Sequence, residues 1–592
     1  MGNEAAALGA VHAGVNMVCG YPGTPSTEIL EAAAKNNDGS LYVEWSVNEK
    51  AALEAAAGCA YAGGRVLVTM KQVGLNVAAD PLMSLAYVGV KGGMVIAVAD
   101  DPGPISSQTE QDTRHFAQFS KLPVFDPSSV QEAYDMMKDA FELSEKYGTP
   151  VIFRPTTRVC HGYATIDTAE IYRKHAPEGF IKDSGRWVIF PKLSYNNHIK
   201  IEERNELLQT ELSSYKYNAV GGNRHAKKGI ACGGVSCAYV QEALGEFCDV
   251  KLLKISTPHP FPERLAEEFL DGLDEVMVFE ELDPVIEREL VYLCGKTGKS
   301  VKIRGKLTHD TPNAGEYSVE IVKDVLADYL GIENEKVSLP EPPPLPVRPP
   351  VLCAGCPHRG SFYAVKQACK GRKAVFCGDI GCYTLGNAQP LDMTDTCLCM
   401  GSGVTIAQGI HIAEPDTLCF AFIGDSTFFA SGITGVVNAV YNQNDIILVV
   451  LDNSTTAMTG HQPHPGTGRT MMGEIVQKIS VEKILEAVGV TRIVSADPLD
   501  FRESVEAVKS VADEKGVRAV IFRSPCIALS RPEPSLHVDS ESCIGCMKCI
   551  KELGCPAVVN KNGKAFIEES LCCGCGLCGQ ICPVSAIGGV EK

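Results

Sequence analysis

"LCFAFIGD", residues 418–425, and "DIILVVLDN", residues 445–453, are two apolar runs that each end in an oxygen-bearing side chain, Asp425 and Asn453. Runs this uniformly apolar suit strands buried on both faces of a parallel sheet, and the helical stretch between them supplies the crossover. Both polar ends then emerge at the carboxyl edge of one sheet, where open α/β folds bind ligands. A carboxylate and an amide oxygen placed there suit Mg²⁺, which takes few protein ligands and completes its octahedron with phosphate oxygens and water. Asp425 is therefore expected to anchor a diphosphate through a metal. Asn453 would be the second ligand and the backbone near Thr455 the third, with Gly424 and Ser426 forming the turn. The plain alternative is that both side chains cap helices.

The same strand-helix alternation surrounds these runs. "RVLVTM" (65–70), "MVIAVAD" (94–100) and "PVIFRP" (150–155) lie between Ala-rich helical stretches, which marks 1–182 as a parallel-sheet α/β domain. Polar, basic sequence from 183 to 224 precedes "KGIACGGVSCAYVQEAL", "DVKLLKIS" and "EVMVFEEL", so 183–333 reads as a smaller α/β domain. "LPEPPPLPVRPP" cannot sit in a helix or central strand, making 334–350 a linker. A third α/β domain spans 351–532 and closes with "VRAVIFRSP". The last segment, 533–592, is cysteine-dense, with a core too poor to fold without staples or metal.

The chain has 592 residues and is 45% apolar, enough for several cores. Its net charge of −18 repels phosphate backbones and argues against nucleic acid as a partner. No apolar run approaches the ~20 residues that cross a bilayer, so no membrane association is expected. "MGNEAAALGAVHAG" lacks the pattern of a secretory signal, so a cytoplasmic location is expected. That start plunges directly into helix-like sequence, and a few native residues are expected ahead of it.

Twenty-five cysteines without an export signal point to metal or redox chemistry, and nine of them fall between Cys543 and Cys582. "CIGCMKCIKELGCP" and "CCGCGLCGQICP" each carry three cysteines at two-residue gaps and then Cys-Pro, the arrangement in which the fourth cysteine serves the other cluster. One [4Fe-4S] cluster is expected on Cys543, Cys546, Cys549 and Cys582, the other on Cys572, Cys575, Cys578 and Cys555. Five residues rather than three separate Cys549 from Cys555, and Cys573 is left over as a substitute for Cys572. Paired zinc ribbons are the structural alternative.

"GDS" followed by "DN" at this interval resembles the diphosphate motif of thiamine-diphosphate enzymes, with Ser426 in place of its final glycine. That family needs a carboxylate on the cofactor's aminopyrimidine. In "LYVEWSVNEKAALEAAAG" (41–58) Glu49 holds the matching position, with Glu44 and Glu54 as rivals; a first-turn glutamate favoured by the helix dipole is the bland reading. Together with "GYPGTPSTEI", "SSQTEQDTRHFA" and "GHQPHPG", essentially the whole chain resembles the α-subunits of indolepyruvate:ferredoxin oxidoreductases, within the 2-oxoacid:ferredoxin oxidoreductases.

The resemblance implies an α/β multidomain fold. Two thiamine-diphosphate-binding parallel-sheet domains, for pyrimidine (1–182) and diphosphate (351–532), would flank a transketolase-C-like α/β domain (183–333). A bacterial ferredoxin-type 2[4Fe-4S] domain (533–592) would end the chain. It implies Thr24 at the substrate's oxo-acid head, Arg114 on its carboxylate through a charge-assisted fork, and a third [4Fe-4S] cluster on Cys353, Cys356, Cys382 and Cys526. His461 and His464, just after the metal loop, become candidates for lining the pocket or for a structural role. The implied reaction is oxidative decarboxylation of aryl 2-oxoacids (indolepyruvate, phenylpyruvate, 4-hydroxyphenylpyruvate) with CoA, giving aryl-acetyl-CoA and CO₂ and passing electrons to ferredoxin. The implied cofactors are thiamine diphosphate, Mg²⁺ and the clusters, and the implied partner is a smaller, γ-domain-like β-subunit in an α₂β₂ assembly. The competing readings are another 2-oxoacid substrate, a non-oxidative thiamine-dependent decarboxylase, and an electron-transfer subunit without chemistry of its own.

Overall fold

The apolar runs become strands of three sheets. The computed structural model describes residues 1–169, 175–245, 249–332 and 343–588 and divides into two compact units, Met1–Glu341 and Pro342–Lys592. The expected linker lies partly outside the described residues; 343–350 is exposed and without regular structure. Among the described residues no helix is long and apolar enough to cross a membrane.

In the first unit, strands β1 (Met17–Gly20), β2 (Tyr42–Trp45), β3 (Val66–Lys71), β4 (Met94–Ala99), β5 (Val124–Phe125) and β6 (Val151–Phe153) form one parallel sheet in the order β2-β1-β3-β4-β6-β5. A second sheet follows: β7 (Ala219–Gly222), β8 (Lys228–Gly233), β9 (Lys251–Ile255), β10 (Glu275–Phe279) and β11 (Lys302–Arg304), in the order β11-β10-β8-β9-β7. It is parallel except for β7, which runs against β9. Backbone bonds join the two sheets' loops, Val124 N–H to the His259 carbonyl and Asp126 N–H to that of Ser256, each at 2.8 Å.

The stretch that looked merely polar, 183–224, contains a 22-residue helix, Pro191–Leu212. Only Ile201, Leu208 and Leu212 are buried on it, a stripe too thin to stand out in polar sequence. Arg204 donates to the Lys121 carbonyl and Thr149 Oγ1, and Asn197 to the Tyr87 carbonyl. This helix therefore packs against the helix Ala79–Val88 and the loops at Lys121 and Thr149 beside the first sheet.

In the second unit, β12 (Ala374–Cys377), β13 (Leu418–Gly424), β14 (Ile446–Asp452), β15 (Arg492–Ala496) and β16 (Val517–Arg523) form a wholly parallel sheet in the order β12-β13-β14-β16-β15. Side chains alternate between its faces. Phe420, Phe422, Ile447 and Val449 feed one core, while Ala421, Ile423, Leu448 and Val450 feed the other, which is why β13 and the body of β14 are apolar on both faces.

The cysteine-dense tail carries two small antiparallel pairs. Strand β17 (His537–Val538) pairs with β20 (Ile587–Gly588), and β18 (Val558–Lys561) with β19 (Lys564–Ile567). Its apolar side chains Leu553, Val558, Ile567, Leu577 and Ile587 join the same core as Phe362, Tyr363 and Val508. The tail thus offsets its poor core by sharing one.

Candidate active site

Adjacent strands β13 and β14 deliver the opening pair to one edge. Gly424 stands opposite Leu451 in register, so Asp425 and Asn453 both lie just past the carboxyl ends. Gly424 must lack a side chain, because a Cβ would come within 2.5 Å of the Tyr383 ring. Asp425 begins a helical run that passes through a widened turn at 428–432 and continues to Tyr441. Its Oδ1 accepts from Ser426 N–H at 2.9 Å and its Oδ2 from Ser454 N–H at 2.8 Å, which fastens the first strand end to the second. Ser426 fits this turn without a left-handed backbone, and its Oγ accepts from Thr456 Oγ1 at 2.9 Å. Asn453 Oδ1 accepts from Thr455 N–H at 3.2 Å, and Asp425, Asn453 and Thr455 are all buried.

Two histidines complete this edge. His464 Nε2 lies 3.2 Å from Asp425 Oδ2, and Gly466 N–H donates to His464 Nδ1, which leaves Nε2 to carry the proton toward the carboxylate. Burial raises the Asp425 pKa against the lowering pull of His464. His358 Nε2 lies 3.2 Å from Asn453 Nδ2. Burial lowers the His358 pKa to about 4, so the ring is neutral, accepts from the amide and turns Asn453 Oδ1 the other way. His461 is exposed, in a left-handed turn. At the next strand end, Asp379 is buried with its pKa pushed up to about 7 by desolvation; it accepts from Gly401 N–H at 2.7 Å and Tyr383 O–H at 3.3 Å. The motif positions were legible in the sequence, whereas His358 and His464 are joined to them only by the fold.

In the first unit, Glu49 opens helix Glu49–Tyr61 behind the N-cap Asn48, whose side chain accepts from Ala51 N–H. Burial pushes its pKa up to about 7. A Cβ on Gly74 would lie 2.4 Å from Glu49 Oε1, so the carboxyl rests directly on that glycine. Glu44 instead bonds Tyr42 and Ser46, and exposed Glu54 pairs with Lys50, which separates both rivals from this environment. Thr24 follows β1, half-buried, and its carbonyl accepts from Ser106 Oγ at 3.2 Å.

Arg114, expected to bind a substrate carboxylate, requires a correction. It is 1% exposed, with Nε and Nη2 on Asp112, Nη1 on Glu280 Oε2 at 2.6 Å, and Nη2 also on the carbonyls of Glu281 and Asp283. Its fork is spent on tying the helix Thr113–Ser120 to the end of β10. Beside it, Arg154 clamps Asp100 at 2.7 Å and Asp126 at 3.0 Å.

The fold also gathers the thiols. Cys543, Cys546, Cys549 and Cys582 line one small pocket. Burial raises the thiol pKa of Cys575 and Cys578; Cys573, Cys555 and Cys572 lie near the first, and Cys575, Cys555 and Cys572 near the second. Cys353 and Cys356 neighbour Cys382, which in turn neighbours Cys526. The Cys526 N–H donates to the Asn453 carbonyl at 2.9 Å, placing this third group beside the β14 edge. Leftover Cys573 turns to Gly355, where a Cβ would meet its Sγ at 1.9 Å. Among the described residues no three His, Cys, Asp or Glu side chains converge closely enough to hold a single metal ion.

Residues 8–182 match the family model "Pyruvate flavodoxin/ferredoxin oxidoreductase, thiamine diP-bdg". Residues 379–522 match "Thiamine pyrophosphate enzyme, C-terminal TPP binding domain". The indolepyruvate oxidoreductase subunit IorA of Methanothermobacter thermautotrophicus is 41% identical over 99% of this chain and 96% of its own. That of Pyrococcus horikoshii is 38% identical over 100% of this chain and 97% of its own. This chain belongs to the IorA family. A ketoisovalerate oxidoreductase subunit VorB from M. thermautotrophicus is a more distant relative, 28% identical over 46% of this chain and 82% of its own. A 2-oxoglutarate:ferredoxin oxidoreductase from Magnetococcus marinus overlaps 55% of this chain and 64% of its own at 19% identity and TM-score 0.43, too partial an overlap to assign anything. Both thiamine-type regions of this IorA-family chain are parallel-sheet α/β, one in each unit.

Proposed function

We propose that this chain is the large subunit of a 2-oxoacid:ferredoxin oxidoreductase that uses thiamine diphosphate and Mg²⁺. Its substrates would be aryl 2-oxoacids such as indolepyruvate, phenylpyruvate and 4-hydroxyphenylpyruvate. With CoA they would give the aryl-acetyl-CoA, CO₂ and two electrons for ferredoxin. Membership of the IorA family supports the reaction class, and the observation that carries the site is the Asp425–Ser454 bond, which makes one oxygen-bearing edge of two strand ends.

The residues present fit the cofactor. Asp425 and Asn453 offer two side-chain oxygens, few enough to leave Mg²⁺ its phosphate oxygens and water, and the Thr455 carbonyl would be the third protein ligand. His358 sets the direction of the Asn453 oxygen, and His464 holds the Asp425 carboxylate. The Glu49 carboxyl is buried, and its pKa near 7 suits a group that holds and releases a proton at the aminopyrimidine. Thiamine diphosphate, when bound, supplies the carbanion chemistry by which a 2-oxoacid loses CO₂. Thr24 would face the substrate's 2-oxo end.

The two thiol quartets fit a ferredoxin-type pair of [4Fe-4S] clusters, Cys543/Cys546/Cys549/Cys582 and Cys572/Cys575/Cys578/Cys555, and Cys353, Cys356, Cys382 and Cys526 fit a third. A smaller β-subunit in an α₂β₂ assembly and a cytoplasmic location complete the reading. Anaerobic reduction of methyl viologen by the reconstituted complex, across several 2-oxoacids with and without CoA, tests it. Reduction strongest with aryl substrates and dependent on thiamine diphosphate and Mg²⁺ is expected. Aldehyde release without viologen reduction would make it a simple decarboxylase.

A further inference from the structure

Lys71 is the last residue of β3, at the carboxyl edge of the first sheet. The neighbouring strand β1 leads into Gly23 and Thr24. A Cβ on Gly23 would meet Lys71 Cδ at 2.9 Å, so the bare glycine makes room for the lysine stem next to Thr24. Lys71 Nζ donates to the Ser106 carbonyl at 3.2 Å, and Ser106 Oγ reaches back to the Thr24 carbonyl at 3.2 Å. On the other side, Glu49 rests on Gly74, three residues beyond the lysine. The ammonium therefore stands between the residue that would meet the 2-oxo group and the carboxyl that would serve the cofactor.

Its own partners are too few. Among the described residues, the Ser106 carbonyl is its hydrogen-bond acceptor, and no carboxylate lies within ion-pair distance. Asp101 already accepts from Thr157 Oγ1 at 2.7 Å and Ser106 N–H at 2.8 Å. Burial depresses the Lys71 pKa, with Asp101 and Glu49 only partly restoring it through space. The ammonium is half-buried, its one bond to the protein lies on the exposed side, and its remaining donors are open to an anion entering beside Thr24. Arg114, the alternative cation, is enclosed and engaged elsewhere.

We propose that Lys71 Nζ binds the substrate's carboxylate, beside Thr24, and thereby selects 2-oxoacids over neutral carbonyl compounds. This rests on the function proposed above and assigns the anion-binding group within it.

The test uses the intact complex with its partner subunit and clusters, comparing Lys71→Gln and Lys71→Arg with wild type. Phenylpyruvate KM and kcat are measured by viologen reduction. Inhibition by 3-phenylpropanoate is compared with inhibition by its neutral amide. A charge-assisted hydrogen bond is lost in Lys71→Gln, so KM should rise about 10- to 100-fold with kcat nearly kept. The acid's advantage over the amide should disappear, and Lys71→Arg should recover much of both. Thiamine diphosphate affinity, read by calorimetry, should stay unchanged, separating this role from one in cofactor binding or packing. An unchanged KM, or an acid-over-amide preference that survives Lys71→Gln, overturns the proposal. A wild-type complex that oxidises no 2-oxoacid overturns the parent function, and this assignment with it.

Discussion

A glutamate in the first turn of a helix ordinarily sits in water and titrates near 4.5; enclosed against Gly74, Glu49 is pushed up to about 7. The folded chain then keeps a proton that the unfolded chain releases between those values, so stability declines as pH rises through the window. The differential is about 3 kcal/mol once both states are ionised. Glu49→Gln keeps the shape and removes the charge. Thermal scans of the cofactor-free chain should show the variant melting above wild type at pH 8 and together with it at pH 4.5, while turnover is lost. Equal midpoints at both values would mean that the carboxyl is solvated. Asn453 depends in a similar way on a neighbour, since neutral His358 leaves its amide one favourable orientation.

Among the elements, the helix Thr113–Ser120 shows where charge serves architecture. Asp112 caps it, accepting from Arg114 N–H at 2.9 Å, and Arg114 carries the tie on to Glu280 beyond β10. Burial alone would raise the Asp112 pKa, but the guanidinium holds it far below the carboxylate range. Arg114→Met would leave two buried carboxylates unpaired, a loss of about 3–5 kcal/mol. The expected result is a markedly lower melting point with KM for phenylpyruvate unchanged in the folded fraction, the reverse of the Lys71→Gln pattern. A raised KM at an unchanged melting point would return Arg114 to the substrate. Strand runs such as "FAFIGD" were legible because alternate residues feed two cores, and so was the placement of Asp425 and Asn453 just past their carboxyl ends. The roles of Arg114, His358 and His464 were not, because their partners lie 166, 95 and 39 positions away and only folding joins them.

At the largest scale, the second unit binds its cysteine-rich tail into the core of the third sheet. Arg359, in helix Pro357–Ala368, donates to the Leu553 and Gly554 carbonyls at 2.6 and 2.9 Å, and to the Leu352 carbonyl at 2.6 Å. One guanidinium thus holds the approach to Cys555 against the approach to Cys353. Ending the chain at Pro532 would strand that cation and uncover Phe362, Tyr363 and their neighbours, so the shortened chain should aggregate or yield to protease within 351–532 where the full chain resists. The same junction bears on the cluster count. Cys573 abuts Gly355 between the second quartet and the Cys353 group, so a third cluster would stand next to the second rather than apart from it. Three [4Fe-4S] sites require about twelve irons per chain, and Cys526→Ser should remove about four while the ferredoxin-type pair keeps its own. About eight irons in wild type, unchanged by the substitution, would leave the Cys353 group as ordinary thiols.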